Sequence, residues 1–210
     1  MDEAAARASL DVSRETLERL EAFARLLNTE NARQNLISKA SEEAIWERHI
    51  ADSAQLVRLA PPSAATWLDL GTGAGFPGLI ASLLHPARVT LVESRKLRAQ
   101  FLERAVEVLG IEGKTEVRGC RVEALERGPF SVISARAFAP LDRLLPLAER
   151  FSANDTVWVL PKGRNAKSEL EAVRGTWQGE FRLERSLTDP EAGIIVARGV
   201  RRRGKGTGAR

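Results

Sequence analysis

From Asp69 to Gly78 the chain reads Asp-Leu-Gly-Thr-Gly-Ala-Gly-Phe-Pro-Gly. An acid ends an apolar run, three glycines alternate through a turn, and a proline opens a second apolar stretch. Glycines at 71, 73 and 75 admit positive φ and let a ligand meet bare backbone. Pro77 suits the first turn of a helix, where its missing N–H costs nothing. A helix N-terminus beside such a turn favours polar or anionic groups. A second acid, Glu93, ends the apolar run Val89-Thr90-Leu91-Val92 about 20 residues on, where a carboxylate can accept from ribose hydroxyls.

Two registers fit the turn. Gly73 to Gly78 matches G-x-G-x-x-G, the dinucleotide fingerprint, which predicts an NAD(P)-dependent oxidoreductase. Asp69-Leu70-Gly71-Thr72-Gly73 matches the D-x-G-x-G loop of S-adenosylmethionine (SAM) methyltransferases. In that register Asp69 holds loop amides or water around the methionine ammonium, and Glu93 takes the ribose. The acid before the first glycine favours SAM. Two further features weigh against the oxidoreductase: no second domain is evident, and with no tyrosine in the chain a Tyr-x-x-x-Lys pair is impossible.

The flanking sequence supplies the elements that would hold this loop. Apolar strands alternate with helical stretches: strand 66–70 then helix 77–85, strand 89–93 then helix 95–109, strand 115–118 then a short helix at 121–126. Strand 130–135 precedes helix 140–150, and strand 156–160 precedes helix 164–175. Two strands near 180–187 and 193–198 close the chain. Such alternation predicts an α/β, Rossmann-like, mostly parallel sheet with one antiparallel strand and helices on both faces. Ligands bind outside the carboxyl ends of such strands. Here those ends are 69–76, 93–96, 121–123, 134–138 and 161–164, and all are expected to converge on one cleft.

Before the sheet, residues 1–62 read as a helical extension. Residues 1–12 look frayed, Ser13 caps a helix that the polar Asn28–Asn35 stretch ends, and a second helix runs from Ser41 to about Leu59. Arg48 and Asp52 are spaced i, i+4 on it. Pro61-Pro62 stops it. The methyltransferase-like domain is expected over 63–200 and a basic flexible tail over 201–210.

At 210 residues and 43% hydrophobic the chain can bury a sizeable core. One cysteine (Cys120) and two histidines exclude a disulfide framework and a histidine-rich metal site, so no metal is expected. No apolar run is long enough for a membrane span, and Met1-Asp2-Glu3 lacks a signal peptide's apolar core, so a cytoplasmic protein is expected. The net charge is +4. Six cations and no acid follow Glu191, and without them the net charge would be negative. A glycine-interrupted basic arm such as Arg201-Arg202-Arg203-Gly204-Lys205 suits contact with nucleic acid. Trp46, Trp67, Trp158 and Trp177 are expected in the core.

Several blocks taken together resemble one family. They are Asn35-Leu36 with Arg48-His49-Ile50-Ala51-Asp52-Ser53, the loop from Asp69 to Gly78, Arg121-Val122-Glu123, Ser134-Ala135-Arg136-Ala137-Phe138, and Pro161-Lys162-Gly163. Over residues 28–165 the set resembles the RsmG (GidB) family of bacterial 16S ribosomal RNA guanine-N7 methyltransferases. It departs mildly at Pro161, where an alanine-leucine pair is commoner, and at Ala74, where proline is common.

The resemblance implies a class I SAM-dependent fold and a target guanine, G527, in the 530 loop of 16S rRNA. It implies contacts to SAM from Gly71 and Phe76, from Val122 and Glu123 beside the adenine, and from Arg136. Guanine N7 carries a lone pair and no proton, so no general base is required, and proximity and orientation supply much of the barrier lowering. The expected partner is 16S rRNA or the small subunit, bound by a monomer. RNA is gripped by cations and stacked on planar groups. The candidates are Arg48 and His49 on the second helix, Arg95, Lys96 and Arg98 after the second strand, Phe138, Lys162 and Arg164, and the tail. Lys162 is placed to reach guanine O6 or a phosphate. From the sequence alone, Arg136 could equally pair with Asp69 or Glu123.

Overall fold

The computed structural model describes residues 2–204. Its sheet has seven strands in the order β3-β2-β1-β4-β5-β7-β6. They are β1 (Thr66–Leu70), β2 (Arg88–Val92), β3 (Thr115–Arg118), β4 (Val132–Ser134), β5 (Val157–Lys162), β6 (Trp177–Arg185) and β7 (Gly193–Arg202). β1 to β5 are mutually parallel, and β7 runs antiparallel to both β5 and β6. The expected single antiparallel strand is therefore β7.

Side chains alternate across the central strands with period two and feed two cores. Trp67, Val89, Leu91, Val132, Val157, Val159, Ile194 and Val196 face one core. Leu68, Leu70, Ile133, Trp158, Leu160, Ile195 and Ala197 face the other. Both faces are covered, which is why these strands read as continuous apolar runs. All four tryptophans are buried. On the first face lie α1 (Glu3–Ala8), α2 (Arg14–Gln34), a π-helical stretch (Trp46–Ala51), α4 (Asp52–Val57), α5 (Gly78–Leu84) and α6 (Lys96–Leu109), with the short α3 (Lys39–Glu42) between α2 and the π-helical stretch. On the second lie α7 (Leu141–Ala148) and α8 (Ala166–Val173).

The N-terminal extension differs from expectation in three places. Residues 3–8 form a helix capped by Asp2, whose Oδ1 accepts from the Ala5 amide at 2.7 Å. Glu3 in turn accepts from the Trp46 and Glu47 amides, and Arg7 lies 4.1 Å from the Trp46 ring centroid. Docking onto the start of the π-helical stretch is what orders a segment that looks frayed in isolation.

α2 continues through the polar Asn28–Gln34 stretch because Glu30 and Asn31 are buried with partners. Glu30 accepts from Arg104 at 2.7 Å, and Asn31 accepts from the Ile37 amide at 2.8 Å. The helix ends at Asn35, which takes the left-handed conformation. Finally, the single helix expected over 41–59 is broken into α3, the π-helical stretch and α4. The wide turns sit at the Arg48–Asp52 block, consistent with the tendency of π-bulges to mark functional positions.

The C-terminal boundary also moves. Arg201 and Arg202 belong to β7, opposite Gln178 and Trp177, so the basic segment begins as sheet and not as a flexible tail. Lys205 and Arg210 lie outside the described residues. No helix among the described residues is long and apolar enough to cross a membrane.

Candidate functional site

The glycine turn leaves β1 through Asp69, which is fully buried. Its Oδ2 accepts from the Gly78 amide at 3.0 Å and its Oδ1 from the Ser134 hydroxyl at 2.6 Å. Ser134 accepts in turn from the Trp67 indole at 2.8 Å. Asp69 therefore holds the far end of the turn to the start of α5 and to β4. Holding the Gly78 amide is the loop-bracing part of its expected role, made here from behind the turn.

The space at Gly78 is closed. A Cβ there would come within 2.2 Å of Leu91 Cδ2 and 2.7 Å of Asp69 Oδ2. Gly78→Ala is expected to cost about 1–3 kcal/mol by overpacking, read as a fall in the chemical-denaturation midpoint; an unchanged midpoint would refute the packing account.

Burial pushes the Asp69 carboxyl up to about 6, against the hydrogen bonds it accepts. The folded state thus holds this proton more tightly than the unfolded state, and stability falls as pH rises from about 4 to about 6. The Asp69→Asn variant removes that loss. Its stability relative to the parent should rise by up to about 3 kcal/mol between pH 4 and pH 8, whatever constant offset the Ser134 contact adds. A pH-independent difference in unfolding free energy would contradict this.

Glu93 closes the other side of the turn. It is buried, its Oε2 accepts from the Gly73 amide at 3.2 Å and its Oε1 from the Arg95 amide at 2.8 Å. Each carboxylate oxygen has a second acceptor site, so one group can brace the loop and still take ribose hydroxyls. Gly71, Gly73 and Gly75 all have positive φ, as a turn of this shape requires.

Phe76 is buried and sits at the centre of a stack. Phe23 meets it edge-on at 5.6 Å, His49 lies parallel at 5.0 Å, and the Arg136 guanidinium is 5.0 Å from its centroid. Arg136 pairs with neither Asp69 nor Glu123. It reaches across to the broken helix instead, to Asp52 Oδ2 at 3.5 Å, the Arg48 carbonyl at 3.2 Å and His49 Nδ1 at 3.0 Å. A guanidinium can only donate, so His49 Nδ1 accepts and the neutral ring carries its proton on Nε2. Burial, then the Arg136 and Arg48 charges, hold the His49 pKa down at about 3.

Asp52 is the hub that sequence reading missed. Besides Arg136, its Oδ1 accepts from Thr188 Oγ1 at 2.7 Å and Gln55 Nε2 at 2.8 Å, while Gln55 Oε1 accepts from the Leu187 amide at 2.8 Å. This network fastens the β6–β7 turn to the end of β4. The sequence marked Asp52 only as a member of the Arg48–Ser53 block and by its spacing from Arg48, and that spacing pointed to the wrong arginine.

After β4, Ala137 takes a left-handed conformation and Phe138 folds back over the glycine turn. A Cβ on Gly71 would lie 2.2 Å from Phe138 Cδ2. Phe138 also lines a cleft of about 880 Å³ with His49, Asp52, Arg136, Lys162 and the β6–β7 turn. The carboxyl ends of β1 to β5 lie on one side of the sheet; those of β4 and β5 line this cleft, and Glu93 at the end of β2 borders the glycine turn.

Lys162 is not free to meet a base. Its side chain is only 8% exposed, 2.9 Å from Glu169, and donates to the Ala139 carbonyl at 2.7 Å. Arg164 pairs with Glu191 at 2.7 Å. Val122 points into the second core, leaving its backbone and the exposed Glu123 at the turn after β3. Arg150, another residue the sequence did not single out, donates to the carbonyls of Val122, Glu123 and Leu125 and so shapes that turn. Arg48, Arg95 and Lys96 are exposed, and Arg98 stands beside Gly73. Arg201, Arg202 and Arg203 are exposed at the other end of β7.

Residues 16–193 match the family model described as GidB, rRNA small subunit methyltransferase G. The chain is 55% identical over 210 residues to the ribosomal RNA small subunit methyltransferase G of Rhizorhabdus wittichii, covering 98% of this chain and 97% of that one. It is 49% identical to the protein of the same name from Zymomonas mobilis, over 95% and 93% of the two chains. Among solved structures, an O-methyltransferase from Bacillus cereus in complex with SAH superposes with a TM-score of 0.65 at 15% identity, covering 93% of this chain and 96% of that one. A ribosomal protein L11 methylase from Lactobacillus delbrueckii subsp. bulgaricus gives 0.57 at 19% identity, over 73% and 78%. At those identities the structures establish the fold.

Proposed function

The chain belongs to the rRNA small subunit methyltransferase G family, and we propose that it transfers the methyl group of SAM to N7 of one guanine, G527 in the 530 loop of 16S rRNA. Membership decides between the two registers of the glycine turn in favour of methyl transfer over hydride transfer.

The observation that carries the N7 reading is the state of the polar groups where β4 meets the turn. Ser134 is engaged with Asp69 and Trp67, and Arg136 with Asp52 and His49. His49 is neutral and Asp69 is sealed. This corner can position a ligand but offers no unpaired base. An attacking atom with a lone pair and no proton fits such a corner. A hydroxyl or exocyclic amine, which must lose a proton, does not.

The donor lies along Gly71 and Gly73, with its ribose on Glu93 and its adenine at the Val122–Glu123 turn. Asp69, Phe76 and Arg136 support that surface from behind. In-line attack at the sulfonium methyl leaves S-adenosylhomocysteine, and orientation supplies several kcal/mol. The RNA enters from the cleft, with Phe138 as the planar group nearest the turn and Arg48, Arg95, Lys96 and Arg98 on phosphates. Lys162 and Arg164, already paired, shape the wall; His49 holds Arg136.

The test is a 16S RNA carrying 7-deazaguanine at the target. It should bind as the parent RNA does and accept no methyl group. Methylation of that RNA at the substituted base would overturn the N7 assignment.

A further inference from the structure

Of the four cations that line the cleft, Arg48 alone is exposed and without an ion pair among the described residues. The other three are spent within the protein: Arg136 on Asp52, Lys162 on Glu169 and Arg164 on Glu191. RNA affinity comes mainly from neutralising phosphates, so unpaired cations elsewhere must carry much of it.

β7 leads to such a group. The strand starts at Gly193, in the wall of the cleft, and ends nine residues later at Arg202. At about 3.3 Å per residue that is about 30 Å. Because β7 is antiparallel to β5, its end lies at the amino ends of the parallel strands, opposite the cleft. There a bulge between Gln178 and Glu180, with Gly199 at φ 58, sets Arg198 and Arg201 beside one hollow of about 480 Å³. Arg202 lies over the Trp177 ring at 5.4 Å, and Arg203 donates to the carbonyls of Arg174 and Trp177.

Arg174, Arg198, Arg201, Arg202 and Arg203 are all exposed. None forms an ion pair among the described residues, although Asp155 and Glu180 share the hollow and Glu149 accepts from the Arg202 amide. Glu180 lies opposite Arg198 in the strand register, yet five arginines against three acids leave the surface net positive, and Arg202 on its ring and Arg203 on two carbonyls present held forks that match phosphate.

We infer that this edge of the sheet is a second docking surface for structured ribosomal RNA, which grips the phosphate backbone about 30 Å from the nucleotide being methylated. The inference rests on the proposed rRNA substrate. It separates two tasks: the cleft orients the base, and the far end of β7 supplies affinity for RNA that extends well beyond the target loop. A short stem-loop reaches only the cleft, whereas full-length 16S RNA reaches both.

The experiment compares the full chain with its Arg198→Gln/Arg201→Gln and Arg198→Lys/Arg201→Lys variants. Methyl transfer and binding are measured on a short stem-loop carrying the target, on full-length 16S RNA and on intact small subunits, across salt. For the glutamine variant on full-length RNA, affinity should fall about tenfold or more, and the slope of log K against log salt should shrink by roughly two phosphates' worth. On the stem-loop it should match the parent. The lysine variant should keep most of the salt slope.

Equal losses on both RNAs, or none on the long RNA, would overturn the inference. So would a loss confined to intact subunits and absent with naked RNA, which assigns the surface to a protein. If the parent methylates neither RNA, the substrate reading itself fails.

Discussion

Glu93→Ala is expected to weaken S-adenosylhomocysteine binding by about 100-fold or more. The carboxylate is the shared acceptor for the Gly73 and Arg95 amides, and it is the group proposed to take the ribose hydroxyls. Hydrogen bonds to a charged acceptor contribute about 1.5–3 kcal/mol each, so losing the ribose contacts and the brace on the turn together reaches that size. Glu93→Gln should fall between, since its amide offers one acceptor oxygen in place of two. Calorimetric titration of the three proteins settles the matter. An alanine variant that binds within threefold of the parent would mean Glu93 does not meet the cofactor.

The second large effect is expected at Arg136. Its guanidinium spans Asp52, the Arg48 carbonyl and His49, and it covers the Phe76 ring. Arg136→Ala leaves Asp52 without its cation and frees the broken helix from the end of β4. A buried polar group stripped of its partner costs about 1–3 kcal/mol, and a misplaced site residue can cost about 100-fold in rate. Methyl transfer should fall by that factor or more, while S-adenosylhomocysteine affinity falls less than tenfold. Arg136→Lys should rescue little, because an ammonium cannot reproduce the three-way fork. Full activity in the lysine variant would show that only charge matters there.

Much of the fold was legible because its signals are local. The glycine turn, the two acids and the period of the apolar runs placed every strand within a few residues. That one strand runs antiparallel followed from the missing helix between the last two strands, whereas the strand order, with β7 inserted between β5 and β6, is set by long-range pairing. What the sequence hid was long-range. Glu3 caps a stretch more than 40 residues away, so the first helix looked frayed. Glu30 is buried with Gln34 on its own helix and Arg104 from α6 as partners, and the second of these is invisible locally, so a polar run looked like a helix end.

The site shows the same division. Glu93 stands where its spacing from the turn suggested. Asp69 and Lys162 are the right residue types in the right loops, yet burial turns both inward. Arg136 finds its acid on the N-terminal extension, 84 positions earlier, and no spacing rule connects the two. The Asp52–Gln55–Thr188 network depends on a turn that lies at the end of the chain but beside β4 in space.

The most direct test of the account is transfer of labelled methyl from SAM to small subunits and to 16S RNA from cells lacking this gene, with the product base identified by mass spectrometry. The account predicts one methyl group per RNA, as N7-methylguanine at G527 in the 530 loop. Label on another atom, on another nucleotide or on protein would contradict it, even with SAM bound at the glycine turn.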